Sequence, residues 1–269
     1  MNILTFDIED WFHTHENRHQ YSGHIWRELP SRIEKNTDRV LAWLEASDLK
    51  ATFFVLGWVA KYYPALVKKI HSKGHEIGAH SFWHHNPHFI SAEYFEKDLK
   101  QCLDVLQDIT GEKVMAYRAP GFNLKLKDKW AFDILAKYGI KTDSSVQLSK
   151  SPGGIPFAIK TVHHEVLEFP LVTTFYGLPY SGGGYFRALP FSFVQYLFRQ
   201  EQYHLFYFHP RDFDPDLPVT NLFSFFRNQL NRINTKRCMI RLSGMLQAYP
   251  AVSMGTAAES YLSSLNRHV

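Results

Sequence analysis

The residues Ile3-Leu4-Thr5-Phe6-Asp7-Ile8-Glu9-Asp10-Trp11 open the chain with a short apolar run that ends in three acids. A run of this kind reads as a buried strand, and it delivers its carboxylates to one edge of the sheet that holds it. A second run, Ala51-Thr52-Phe53-Phe54-Val55-Leu56, is β-branched and aromatic and stops at Gly57. Between the two, the spacing around Leu41, Trp43 and Leu44 predicts a helix from about Ile33 to Ala46, and Pro64 to Ser72 reads as another before Gly74. The alternation continues with a strand at Glu76 to His80 and a long helix capped by Ser91, with Glu93 just inside it, running through Phe95, Leu99, Leu103 and Leu106 to Gly111. Val114 to Arg118 then reads as a strand, Asp128 to Tyr138 as a helix ending at Gly139, and Ile140 to Asp143 as another strand. Repeated βα units with buried strands imply an α/β fold with a parallel sheet, open or closed into a barrel. Ile155 to Phe175 reads as hairpin strands, and Leu205-Phe206-Tyr207-Phe208 as a last apolar strand ending at His209-Pro210. The polar residues collect just after strand C-termini, where barrels and α/β sheets place their sites.

The whole composition agrees with a packed globular protein. The 269 residues are 45% hydrophobic, 16% aromatic and only 21% charged, which excludes disorder and a disulfide-stapled miniature. The formal net charge is +4 and no long basic run appears, so nucleic acid is not an expected partner. Cys102 and Cys238 are too few and too far apart for a disulfide framework or a zinc ribbon and read as reduced, buried thiols. No stretch is long and apolar enough to span a membrane, and Met1-Asn2 leads directly into the first strand without a signal-peptide pattern, so a soluble, cytoplasmic protein is expected. No repeat, low-complexity tract or linker divides the chain.

Two stretches carry the chemistry. In Gly78-Ala79-His80-Ser81-Phe82-Trp83-His84 two imidazoles stand four residues apart after a strand, and in a helical turn both rings would share a face and a metal ion. The second is the acidic tip Asp7-Ile8-Glu9-Asp10, where like charges this close repel unless something positive compensates them. Two histidines plus one carboxylate form a zinc site with an open position. The glycine-rich Tyr180-Ser181-Gly182-Gly183-Gly184-Tyr185-Phe186-Arg187 lacks the Lys-Ser/Thr pair of a phosphate-binding loop and reads as a mobile lid, with Arg187 placed to meet a sugar or a phosphate.

These two stretches, together with Arg118-Ala119-Pro120-Gly121, Thr142-Asp143 and Leu205 to His209, give five ordered motifs spanning about three quarters of the chain. In them the sequence resembles the polysaccharide deacetylases of the NodB-homology type, carbohydrate esterase family 4. Phe6 to Phe12 and Tyr117 to Phe122 are similar to the branch found with bacterial exopolysaccharide and surface-glycan clusters. The resemblance implies a deformed (β/α) barrel in a single catalytic domain over residues 1–269, with a core to about 215, extra hairpin strands, and a helical C-terminal extension over about 216–269. It implies metal-dependent hydrolysis of the N-acetyl group of an amino sugar, in a polymer, a lipid-linked intermediate or a nucleotide sugar.

Carried onto this sequence, the family's pattern makes His80, His84 and one acid the ligands of a divalent ion, zinc above all, Asp7 the base, and His209 the acid that protonates the departing amine. Arg118 would pair with Asp7, and Asp143 would orient His209. The family commonly has adjacent aspartates, base then ligand. Here Ile8 follows Asp7, so the third ligand is Glu9, which shares a face with Asp7 in an extended segment, or Asp10, which a turn would bring in. The tryptophan usual in the fourth motif is also missing, since Ser144-Ser145-Val146 follow Asp143. Trp11, Phe12, Trp83, Pro120, Gly121, Phe122 and Arg187 are the candidates for contacting the sugar. Two other readings compete: a glycosidase using Asp7 with Glu9 or Asp10, which leaves the histidines idle, and a non-catalytic carbohydrate-binding member.

Overall fold

A computed structural model describes residues 1–13, 23–149, 155–220 and 224–266. Among these residues ten strands are present: β1 (Asn2–Ile8), β2 (Thr52–Val55), β3 (Glu76–Ala79), β4 (Ala116–Tyr117), β5 (Thr142–Asp143), β6 (Gln147–Leu148), β7 (Phe157–Ile159), β8 (Val166–Glu168), β9 (Leu171–Val172) and β10 (His204–Phe208). Eight of them form one curled sheet in the order β10-β1-β2-β3-β4-β5-β8-β7, parallel throughout except for the β7–β8 hairpin. Helices between successive strands cover its outer face, giving an incomplete (β/α) barrel in a single α/β domain.

The register explains why the chemistry gathers at one end. Ile8 lies beside Val55, Val55 beside Ala79, Ala79 beside Tyr117, and Tyr117 beside Asp143. The residues that follow this row, Glu9, His80, Arg118 and Ser144, therefore emerge at the same edge. Side chains of β1 alternate as a sheet buried on both faces requires. Leu4, Phe6 and Ile8 pack under the helices, whereas Ile3 joins Phe54, Leu205 and Tyr207 in a second cluster capped by Met254 and Ala257 of the helix Met254–Leu265.

The helices at Ile33–Ala46, Pro64–Ser72, Ala92–Thr110 and Lys129–Lys137 lie where the sequence predicts them. Ser91 Oγ accepts from the Tyr94 N–H at 3.2 Å, and Gly111 ends the long helix with φ of 74°. Both cysteines are buried and unpaired with each other. The region expected as hairpin strands is only partly so, because β9 pairs in parallel with β6 rather than folding back. The N–H groups of Leu167, Phe169, Leu171 and Thr173 bond in turn to the carbonyls of Lys141, Asp143, Val146 and Leu148, so the stretch carrying β8 and β9 runs parallel to the one carrying β5 and β6, with one extra residue taken up at Ser144-Ser145. The segment containing Gly182 is likewise no mobile lid. It bridges to Tyr207 and runs into the short helix Gly183–Ala188, and a Cβ on Gly182 would lie 1.8 Å from the Tyr207 carbonyl oxygen.

Candidate active site

A cavity of about 360 Å³ opens at the C-terminal edge of the strands, and Asp7, Glu9, His13, His80, His84 and His209 line it. Asp7, on the inward face of β1, is held by Arg118, which is 0% exposed. The Arg118 Nη1 donates to Asp7 Oδ1 at 2.7 Å and to Thr5 Oγ1 at 2.9 Å, while Nε and Nη2 donate to the carbonyl and hydroxyl oxygens of Ser144 at 3.2 and 3.0 Å. The guanidinium lies against the rings of Phe54 and Phe122, 4.1 and 4.6 Å from their centroids. So many bonds to a wholly buried fork fix the orientation of the Asp7 carboxylate.

One ligand atom each from Glu9, His80 and His84 lies within 4.8 Å of the others, and all three residues are buried. His80 Nδ1 sits 2.8 Å from Arg118 O. That ring nitrogen donates its proton to the carbonyl, which leaves the Nε2 lone pair for a ligand. Burial pulls the His80 pKa down to about 4, so the ring is neutral, as a metal ligand must be. Glu9 Oε2 approaches His84 Nε2 at 2.5 Å, and its Oε1 lies 2.7 Å from Arg211 Nη1 and 3.2 Å from His209 Nε2. Burial alone would raise the Glu9 pKa, but its contacts with His84, Arg211 and His209 outweigh it and hold the carboxylate well below its usual range. An ionised carboxylate with two buried imidazoles is a donor set that fits a zinc-like divalent ion.

The paired imidazoles are not on a helix, contrary to the sequence reading. Residues 80–84 form a loop in which Ser81 and His84 adopt positive φ of 62° and 58°, doubling the chain back so that the rings come to 5.4 Å. Such conformations are costly for residues other than glycine and persist only where the surroundings impose them. Asp98 imposes this one: its carboxylate accepts the N–H groups of Phe82 and Trp83 at 2.8 and 3.0 Å. It sits on the buried face of Ala92–Thr110, beside Phe95 and Leu99, and a charge inside an apolar stripe was the available signal.

Asp10 turns away from the cluster. Its carboxylate accepts from the N–H groups of Trp11, Arg32 and Ile33 and from Ser31 Oγ, at 2.8, 2.9, 3.2 and 2.7 Å, so it anchors the start of the helix Ile33–Ala46. Trp11 is buried and donates from Nε1 to Pro30 O at 3.0 Å, with Phe12 packed edge-on against it. These rings are core rather than sugar platform. Trp83 packs on Phe82 and Trp26. Pro120 opens the turn Pro120–Phe122, in which Pro120 and Phe122 are buried, and Gly121 and Phe122 form part of the cavity wall.

The partner of His209 differs from the one the resemblance implied. Asp212, three residues on, accepts from the His209 N–H at 2.8 Å and lies 3.1 Å from His209 Nδ1. Asp143 is occupied elsewhere: it accepts from Ser145 Oγ and N–H at 2.7 and 3.0 Å and shares a hydrogen bond with the equally buried Glu168. Arg187 is also corrected. It is 3% exposed and holds Asp212 through Nε and Nη2, each at 3.0 Å, while its Nη1 donates to the carbonyls of Leu230 and Ile233. Burial and Arg211 work against protonating His209, but its bonds to Asp212 and Glu9 prevail and raise its pKa to about 8. Arg211, Asp212 and His13 went unread in the sequence, although two of them immediately follow His209-Pro210.

A parallel α/β barrel with a buried Glu-His-His cluster that could hold a metal ion, flanked by an Arg-held aspartate and an Asp-held histidine, has its polar groups at the strand end where such folds carry their chemistry. The chain belongs to the polysaccharide deacetylase family, whose model matches residues 3–142, just over half of it. A domain of unknown function (DUF3473) matches residues 138–259. Strands β5, β7, β8 and β10 fall in that second stretch, yet they belong to the same sheet as β1 to β4.

The peptidoglycan deacetylase of Helicobacter pylori is 30% identical over 118 residues, 42% of this chain and 38% of that protein. A Mycobacterium smegmatis chain assigned to the polysaccharide deacetylases superposes with a TM-score of 0.65 at 17% identity, covering 98% of this chain and 90% of that one. The Bacillus subtilis peptidoglycan deacetylase PdaC gives a TM-score of 0.54 at 16% identity, covering 100% and 96%. At such identities the structural matches establish the fold alone. The aligned stretch spans about a third of the length of the curated relatives. Among the described residues no helix is long and apolar enough to cross a membrane.

Proposed function

We propose that this protein is a zinc-dependent hydrolase that removes the acetyl group from an N-acetylated amino sugar of a bacterial surface glycan or its precursor. It acts as one catalytic domain, with a core to about residue 215 and helices such as Thr235–Ala248 and Met254–Leu265 as an extension. The observation that carries the reading is the Glu9-His80-His84 cluster in the same cavity as Asp7 and His209. Those three residues would hold the ion, which supplies Lewis acidity toward water and the amide carbonyl.

The chain's own groups supply the proton transfers. Asp7, aimed by Arg118 at 2.7 Å, accepts the proton of the attacking water. His209, whose Nε2 stands 3.9 Å from Asp7 Oδ2, donates a proton to the departing nitrogen, and Asp212 on its far ring nitrogen favours the protonated form. Departure as a neutral amine removes the largest obstacle to amide cleavage at neutral pH. The cavity is open enough for a sugar ring, and Gly121, Phe122 and Tyr207 give it an apolar side.

The glycosidase alternative requires a carboxyl that stays protonated at the cavity. Glu9 is held ionised, Asp7 accepts from the Arg118 guanidinium, and Asp10, whose pKa burial raises, lies under a helix N-terminus away from the cavity. The test is acetate release from an N-acetylated oligosaccharide by the zinc-loaded protein. Chelation should abolish it, and Asp7→Asn should abolish it while zinc stays bound. A zinc-loaded protein that releases sugars but no acetate would overturn the proposal.

A further inference from the structure

His13 is a buried polar side chain that the chemistry above does not use. It is 0% exposed, its ring lines the active-site cavity, and its position is fixed on two sides. The backbone holds it from one direction, since the His13 N–H donates to Asp10 O at 3.1 Å and the Asp10 N–H donates to His13 Nδ1 at 2.9 Å. Aromatic rings hold it from the other: the centroids of Phe12, Trp26 and Trp58 stand 4.5, 4.4 and 5.0 Å from its own.

The bond from Asp10 settles the tautomer. A ring nitrogen that accepts an N–H carries no proton, so in the neutral imidazole the proton sits on Nε2, which is a donor. Burial keeps the ring neutral despite the nearby Glu9 carboxylate. Among the described residues no acceptor lies within reach of that Nε2–H. A buried donor left unpaired is destabilising, and on a residue that lines a binding cavity a ligand oxygen can satisfy it. The same tautomer excludes Nε2 as a ligand for the ion, because its lone pair is absent.

We propose that His13 is a substrate-positioning residue, donating from Nε2–H to a hydroxyl or carbonyl oxygen of the amino sugar in the cavity. This rests on the deacetylase reading. A site built to satisfy a buried donor with a substrate oxygen discriminates against molecules lacking that oxygen, because binding them leaves the donor unpaired. The aromatic cage prevents the ring from turning to find another acceptor.

The test compares His13→Phe with His13→Gln in the zinc-loaded protein. Both lose the acceptor for the Asp10 N–H, but only Gln restores a donor at the far end of the side chain. We expect His13→Phe to lower kcat/KM for acetate release from an N-acetylated oligosaccharide by tenfold or more, scaled from about 1–3 kcal/mol for an unmade bond. His13→Gln should recover to within about threefold of the parent on the same scale, with equal zinc content in all three proteins.

Nitrogen-15 chemical shifts of the parent's histidines give a readout independent of folding in the variants: His13 should carry its proton on Nε2, and that resonance should move when the oligosaccharide binds. Parent-like kinetics in both variants would overturn the inference and leave the deacetylase reading standing. So would zinc loss that tracks activity in His13→Phe, or a proton found on Nδ1. A zinc-loaded parent that releases no acetate would overturn the deacetylase reading, and this inference with it.

Discussion

Asp143 and Asp212 are both buried aspartates near the cavity end of the sheet, and they are held in opposite ways. Asp143 faces another carboxyl. Burial raises its pKa and that of Glu168, and a hydrogen bond between two carboxyls requires that they share a proton. Asp212 faces cations. Burial would raise its pKa too, but Arg187, His209 and Arg211 overcome this and keep it ionised. Only the second can hold an imidazole protonated. The comparison teaches that a residue's role follows the charges around it more closely than its place in an ordered series of motifs.

The widest separation between the two aspartates is expected in catalysis. Asp212→Asn should lower kcat by about a hundredfold or more, in line with the worth of a positioned general acid. It should also move the alkaline loss of activity, set in the parent by His209 near pH 8, to lower pH. Asp143→Asn should leave that alkaline limb in place. A pH–rate profile of both variants separates them, and matching shifts would merge the two roles again.

The next effect is on stability. Arg187→Ala removes two 3.0 Å contacts from Asp212 and leaves a buried carboxylate short of its partner, which costs about 3–5 kcal/mol in denaturant unfolding. An unchanged midpoint would show Asp212 to be satisfied without it.

Glu168→Gln probes the other side of the comparison. Because the folded protein holds a proton on this pair above the normal carboxylate range, the pair's contribution to stability is present at low pH and is lost as pH rises beyond the unfolded-state value of about 4.3. The variant escapes that loss, so its melting temperature relative to the parent should climb from pH 5 to pH 8. A difference independent of pH would mean the pair holds no extra proton. The smallest effect is expected at Asp10→Ala, about 1 kcal/mol for loss of a helix anchor, with zinc binding intact.

Much of the fold could be read directly because its strands are buried on both faces and its helices carry clear stops, as at Ser91 and Gly111. The hairpin region was misread where β9 pairs in parallel with β6, more than twenty residues back along the chain, a partner that only tertiary packing selects. At the site, the residue types that cluster were legible from their order, since strand register brings Glu9 and His80 to one edge. Which acid turns inward was not legible, because it depends on Asp10 finding the helix N-terminus at Arg32 and Ile33, contacts 22 and 23 residues away. Arg187 looked like a loop cation for the same reason: its partner Asp212 is brought to it only by tertiary packing. His13 carried no signal beyond a histidine after aromatics, and its donor role is visible only once the Asp10 N–H is seen to occupy Nδ1.

The claim on which the account depends is that one ion bound by Glu9, His80 and His84 makes the cavity an amide hydrolase. Stripping the protein with chelator and titrating zinc back while following acetate release from an N-acetylated oligosaccharide tests it most directly. The account predicts no release from the stripped protein and a rise that saturates at one zinc per chain, absent in Glu9→Gln and retained in Asp10→Asn. Full activity in the stripped protein, or zinc-dependent activity that survives Glu9→Gln and fails in Asp10→Asn, would contradict it.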